Sequence, residues 1–150
     1  MARLPDLVAE EIDHLTSYFE STGNVAAAWR VFSLARKTGR SVPAPVAAEI
    51  DRFADGVASV AGRAMQATPN DGPLYFTPEK LGALWRGDGG QNPADTLRRD
   101  WRDMQIGFEV GRRVERGEKV GAAIEAVADD LPYVNAETVR KAWQKVRREG

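Results

Sequence analysis

The residues of this 150-residue chain that could do acid–base, covalent or metal chemistry are few and poorly spaced for it. His14 is the only histidine and falls among Glu10, Glu11 and Asp13, where a solvated surface imidazole is expected rather than a general base or a metal ligand. The acid pairs Glu10-Glu11 and Asp129-Asp130 are adjacent, so on a helix the two members diverge by about 100° and do not converge on one proton or cation. Asp100 and Asp103 are interleaved with Arg98, Arg99 and Arg102, the pattern of an exposed helix face on which opposite charges pair. Gly87-Asp88-Gly89-Gly90 lacks the preceding strand and the following Gly-Lys-Ser/Thr of a phosphate-binding loop. Asn70-Asp71-Gly72 lacks the further acids of a calcium loop. The first therefore reads as a linker and the second as a turn. The absence of cysteine excludes disulfides, thiolate metal sites and a cysteine nucleophile together. The expectation is a non-enzymatic protein with no catalytic residue, no metal and no cofactor.

What remains is the chemistry of fixed charge and of hydrogen-bonding forks. With a net charge of −1, the chain as a whole supplies no field that attracts polyanions, so any such attraction must be local. Thr138 to Gly150 holds Arg140, Lys141, Lys145, Arg147 and Arg148 against Glu149 alone. Trp29, Trp85, Trp101 and Trp143 have faces that can stack on bases. Each fits an apolar stripe at helical spacing, which predicts core packing instead.

The elements that must position these groups read as helices throughout. Val8, Ile12, Leu15 and Phe19 form one face of a first helix that stops at Thr22-Gly23. Asn24 caps a second, with Val25, Ala28, Trp29, Phe32 and Ala35 inward and its end at Gly39. Val46, Ile50, Phe53, Val57, Val60 and Ala64 mark a long third helix. Thr77-Pro78 opens a short helix carrying Leu81, Leu84 and Trp85. Leu97, Trp101, Met104, Phe108 and Gly111 define another long one, reaching about Arg116. Val120, Ala123, Ile124, Val127, Ala128 and Leu131 follow as an apolar stripe that Pro132 terminates. Asn135 caps the last helix, which turns Val139, Ala142, Trp143 and Val146 inward and leaves Glu137, Arg140, Lys141, Gln144, Lys145, Arg147 and Arg148 outside. No strand-like alternation and no internal repeat is present. The fold class is all-α, with six or seven helices. The turn-rich segments 67–73 and 87–93 divide the chain into an N-terminal bundle (1–67), central helices (74–117) and a C-terminal pair (118–150). No apolar run nears the roughly 20 residues that cross a bilayer and nothing resembles a signal peptide, so a cytoplasmic protein is expected.

Residues 119 to 147, KVGAAIEAVADDLPYVNAETVRKAWQKVR, resemble the helix-turn-helix of many bacterial and prophage proteins. The shared pattern is a small-residue helix, a tight turn, a polar cap at Asn135, then T-V-R-[RK]-A-aromatic, with Val139 and Trp143 as its inward residues. The family's turn usually contains a glycine, whereas this chain has Leu131-Pro132-Tyr133-Val134. The resemblance implies a sequence-specific protein of double-stranded DNA, a phage-type transcription regulator or packaging factor, whose last helix enters the major groove. Arg140, Lys141 and Gln144 would then meet base edges, and Lys119, Lys145, Arg147 and Arg148 would meet phosphates. Glu137 would face the same groove, where phosphate repels a carboxylate unless it accepts from a cytosine amino group. One such module buries little surface, so a homodimer reading two half-sites is implied, with Val46 to Ala64 or Leu97 to Val114 as its seam. The alternative is a non-enzymatic protein-binding module, such as an inhibitor of a host defence complex, in which the basic helix covers an acidic surface of a host protein.

Overall fold

The computed structural model describes residues 4–86 and 92–149. Among them the chain is all-α, with seven helices: α1 (Leu7–Thr22), α2 (Val25–Lys37), α3 (Ala44–Gln66), α4 (Pro78–Arg86), α5 (Pro93–Glu115), α6 (Val120–Asp130) and α7 (Ala136–Glu149). They fall into two compact units, Met1–Thr96 and Leu97–Gly150. The glycine-rich run Gly87-Asp88-Gly89-Gly90 lies outside the described residues.

Local signals set most helix ends in the first unit. The Asp6 carboxylate accepts from the Ala9 amide at 3.0 Å, satisfying one of the orphan donors of α1. This amide bond, then the Arg40 guanidinium beside it, holds the Asp6 carboxyl below its ordinary value. α1 ends where Gly23 takes φ 70°, a left-handed conformation that costs glycine nothing. Asn24 then caps α2 through the Ala26 amide. Its amide nitrogen also donates to the Pro93 carbonyl at 3.0 Å, fastening the start of α5 to this unit. The core here is Ile12 and Leu15 of α1 with Val25, Ala27, Ala28, Val31 and Ala35 of α2. The sequence places Trp29 and Phe32 on the inward face of α2; they are half-buried instead, Trp29 standing edge-on to Phe32 and to Phe53 of α3. α2 is covered from two sides by α1 and α3, so small residues fill its tightest contacts while the large rings close the margin.

The stripe of α3 is used unevenly. Val46 and Glu49 are buried, whereas Val57 is 39% exposed and Met65 88%. Arg52 grips the Glu49 carboxylate with two hydrogen bonds, at 2.6 and 2.8 Å, and donates to the Leu84 carbonyl at 2.9 Å. The Leu84 side chain packs directly on Gly56, where a Cβ would collide with it. These contacts bind α4 to α3. Asp71 accepts from the Thr68 amide at 2.6 Å and closes the expected turn; Asp100 and Asp103 pair with the adjacent Arg99 and Arg102 rather than three or four residues along, and Glu11 pairs with Arg30 of α2, which the sequence did not indicate.

The second unit packs α5, from Leu97 onward, with α6 and α7. Ile106, Val110, Ala123, Ile124, Val127, Val139 and Ala142 form its core, flanked by Val114, Leu131, Val134 and Trp143. The face of α5 that enters this core is not the expected Leu97–Trp101–Met104–Phe108–Gly111 stripe. Ile106 and Val110 are buried and Phe108 is 47% exposed. α5 carries apolar residues on two faces, and close approach decides between them. A Cβ on Gly107 would stand 2.9 Å from the Ala142 carbonyl oxygen and collide with Val146, so α7 crosses α5 where glycine leaves room. The Ile106–Val110–Val114 side of one expected dimer seam is therefore occupied by the protein's own α6 and α7. The helices read as a central stretch, 74–117, are shared between the units: α4 belongs with α3, and most of α5 belongs with α6 and α7.

Candidate nucleic-acid interface

The C-terminal pair is built as two separate helices. α6 ends at Asp130, and Leu131 to Asn135 make the turn, with Pro132 barred from continuing a helix. Leu131 and Val134 fold back onto the core. Tyr133 projects between them at 95% exposure, a residue not singled out from sequence although its place after a helix-ending proline marks it as a turn tip. The Asn135 side chain accepts from the Thr138 amide at 2.9 Å and starts α7 as expected.

Side chains of α7 sort into two faces with the helical period. Val139 and Ala142 are buried, and Trp143 and Val146 are half-buried against α5. Arg140, Lys141, Gln144, Lys145, Arg147 and Arg148 are all exposed, and together with Glu137 they cover one continuous side of the helix. The structure thus brings six of the seven expected site residues onto one face. Lys119 stands elsewhere, at the N-cap of α6, where its side chain makes no capping bond. The 11 residues of α6 separate it from the turn, about 16 Å at 1.5 Å per residue.

The charges on this face are organised. Glu137 Oε2 accepts from Arg140 Nη1 at 2.7 Å, and its other oxygen lies 3.9 Å from Lys141 Nζ. The Arg147 guanidinium sits over the Trp143 ring, 5.9 Å from its centroid, a cation–π contact that orients a surface cation. Glu137 in the first turn and Arg147 and Arg148 in the last complement the helix dipole. Behind the face, Arg113 of α5 reaches Asp130 at 3.0 Å and Glu118 and Glu109 at 3.5 Å. It holds the end of α6 to α5. Glu109 is its i,i+4 neighbour on α5, whereas the bond to Asp130, 17 residues away on α6, was not visible in the sequence.

Two surface concavities adjoin the pair. A groove of about 710 Å³ runs between α5 and α7 over Phe108, Gly111, Trp143 and Val146. A second, of about 310 Å³, has Ile106, Val127, Leu131 and Val134 at its floor with Arg102, Glu109 and Asp130 on its rim. Among the described residues no three histidine, aspartate or glutamate side chains come together as a metal site, and no helix is long and apolar enough to cross a membrane. His14 is exposed on α1. Comparison with protein-family models, characterised proteins and solved structures finds no match, so the likeness to a helix-turn-helix rests on residues 119 to 147 alone.

Proposed function

We propose that this chain is a sequence-specific DNA-binding protein, a regulator or packaging factor of phage or prophage type, that reads the major groove with α7. The observation that carries the reading is the exposed α7 face, on which Arg140, Lys141, Gln144, Lys145, Arg147 and Arg148 share one side of a helix anchored from behind by Val139, Ala142 and Trp143. An α-helix fits the major groove, and guanidinium and amide forks match base edges. Arg140, Lys141 and Gln144 are assigned to bases. Lys145, Arg147 and Arg148 are assigned to phosphates, with Lys119 as a contact from a separate element. A homodimer on two half-sites follows from the small area of a single module. The test is retention of a pool of random duplexes at low salt, with the bound fraction falling as salt rises. Failure to retain any duplex at low salt removes the proposal.

The second reading, a non-enzymatic protein-binding module such as an inhibitor of a host defence complex, draws on the same exposed cations of α7, which also complement an acidic protein surface, in a chain whose net charge is only −1. A partner retained by the full chain after nuclease treatment favours this reading, and one lost with the nucleic acid favours the first.

A further inference from the structure

On the exposed face of α7 the groups that only donate hydrogen bonds are Arg140, Lys141, Lys145, Arg147 and Arg148, while Gln144 both donates and accepts. Glu137 is the one acceptor-only side chain between Ala136 and Arg148. For a helix that had only to attract phosphate, a carboxylate in the first turn weakens binding. For a helix that reads base edges it adds a charged acceptor in the first turn, away from the Gln144 amide, and the groove displays the amino donors of cytosine and adenine that such a group can meet. Glu137 is already coupled to a neighbour, its Oε2 accepting from Arg140 Nη1 at 2.7 Å. The rest of the Arg140 fork therefore lies beside a carboxylate, giving the sequence donor, donor, acceptor across one small patch.

Resting on the reading of α7 as a groove-binding helix, we propose that Glu137 and Arg140 form one recognition unit for a G·C base pair, Arg140 donating to guanine N7 and O6 while Glu137 accepts from the N4 amino group of the paired cytosine. The major-groove edge of G·C runs acceptor, acceptor, donor, the complement of the couple. The edge of A·T runs acceptor, donor, acceptor and then a methyl group, which sets a guanidinium N–H against the adenine amino group. Glu137 is a specificity residue, and its carboxylate also positions Arg140.

The test uses the full chain and a randomised duplex pool, with bound sequences read out for wild type, Glu137→Ala, Glu137→Gln and Arg140→Ala. Glu137 is exposed, so these changes leave the core intact, and melting curves check that they do. Wild type is expected to enrich G·C at one fixed position of each half-site. Glu137→Ala is expected to bind the unselected pool more tightly, since a charge repelled by phosphate is gone, while its preference at that position falls roughly tenfold. Glu137→Gln keeps an acceptor oxygen and is expected to fall between. Equal enrichment in wild type and Glu137→Ala overturns the proposal and leaves duplex binding standing, as does retention by wild type with no preferred sequence. Absence of any retained duplex overturns the groove-binding reading itself, and this inference with it.

Discussion

Arg140 and Arg148 lie two turns apart on one helix and both are exposed, yet they are assigned different work. Arg140 is directed by the Glu137 carboxylate, whereas among the described residues Arg148 projects from the last turn without such a carboxylate. Replacing Arg140 with alanine is expected to cost about 1–3 kcal/mol against the preferred sequence and little against others. Replacing Arg148 is expected to weaken all duplexes alike and to lower the salt slope by about 1 per protomer. Competition binding with preferred and scrambled duplexes separates the two outcomes. A second residue-scale prediction concerns Asp6, whose carboxyl is held below its ordinary value of 3.8 first by the Ala9 amide and then by Arg40. A depressed folded value means the cap stabilises α1 above the ordinary pKa and is lost as pH falls through the lower one. Carboxyl NMR titration should show a midpoint below 3.8, moving part of the way back in Arg40→Ala because the amide bond survives. The caps at Asn24 and Asn135 were legible in sequence, since a cap involves a side chain and an amide two or three residues away; Asp6 obeys the same rule but was shown by the structure. The Arg113–Asp130 bond was not, because its two members lie 17 residues apart on different helices.

At the level of elements, α5 is the instructive case. Its Leu97–Phe108 stripe and its Ile106–Val110 face are both apolar, and periodicity by itself ranks the longer stripe first. The structure buries the other. Gly107 decides the matter by letting the α7 backbone approach where any side chain would meet the Ala142 carbonyl at 2.9 Å. Gly107→Ala is therefore expected to destabilise the second unit by about 1–3 kcal/mol through overpacking. Adding Val146→Ala should recover only part of this, because the carbonyl remains; denaturant unfolding of the single and double variants checks both. Asn135→Ala removes the cap of α7 and should cost about 1 kcal/mol, seen as weakened amide protection in its first turn. α3 presents the reverse situation: its stripe is buried at Val46 and half-buried at Ile50, Phe53 and Val60, but Val57 and Ala64 stand exposed although α4 packs on Gly56.

Across the whole molecule, the near-neutral total hides an uneven distribution. Residues 97–150 hold twelve lysines and arginines against ten acids, and residues 1–96 hold nine against twelve. DNA affinity on the proposed reading comes from a handful of α7 contacts rather than from the protein's field. Four phosphate contacts in each protomer, at Lys119, Lys145, Arg147 and Arg148, contribute about −3.6 per protomer to the slope of log K against log salt. Replacing Lys145, Arg147 and Arg148 together by glutamine should bring this contribution to about −1, measured by fluorescence anisotropy across a salt series. The all-helical class, the ends of most helices and the two faces of α7 were determined by the sequence itself, because helical period, capping and proline or glycine stops act over a turn or less. Which face of α5 is buried, which part of α3 is covered, and the parting of the chain at Thr96–Leu97 inside a continuous helix were decided only by tertiary structure. Those outcomes depend on how closely two backbones can approach, a property of pairs of helices that no single helix carries.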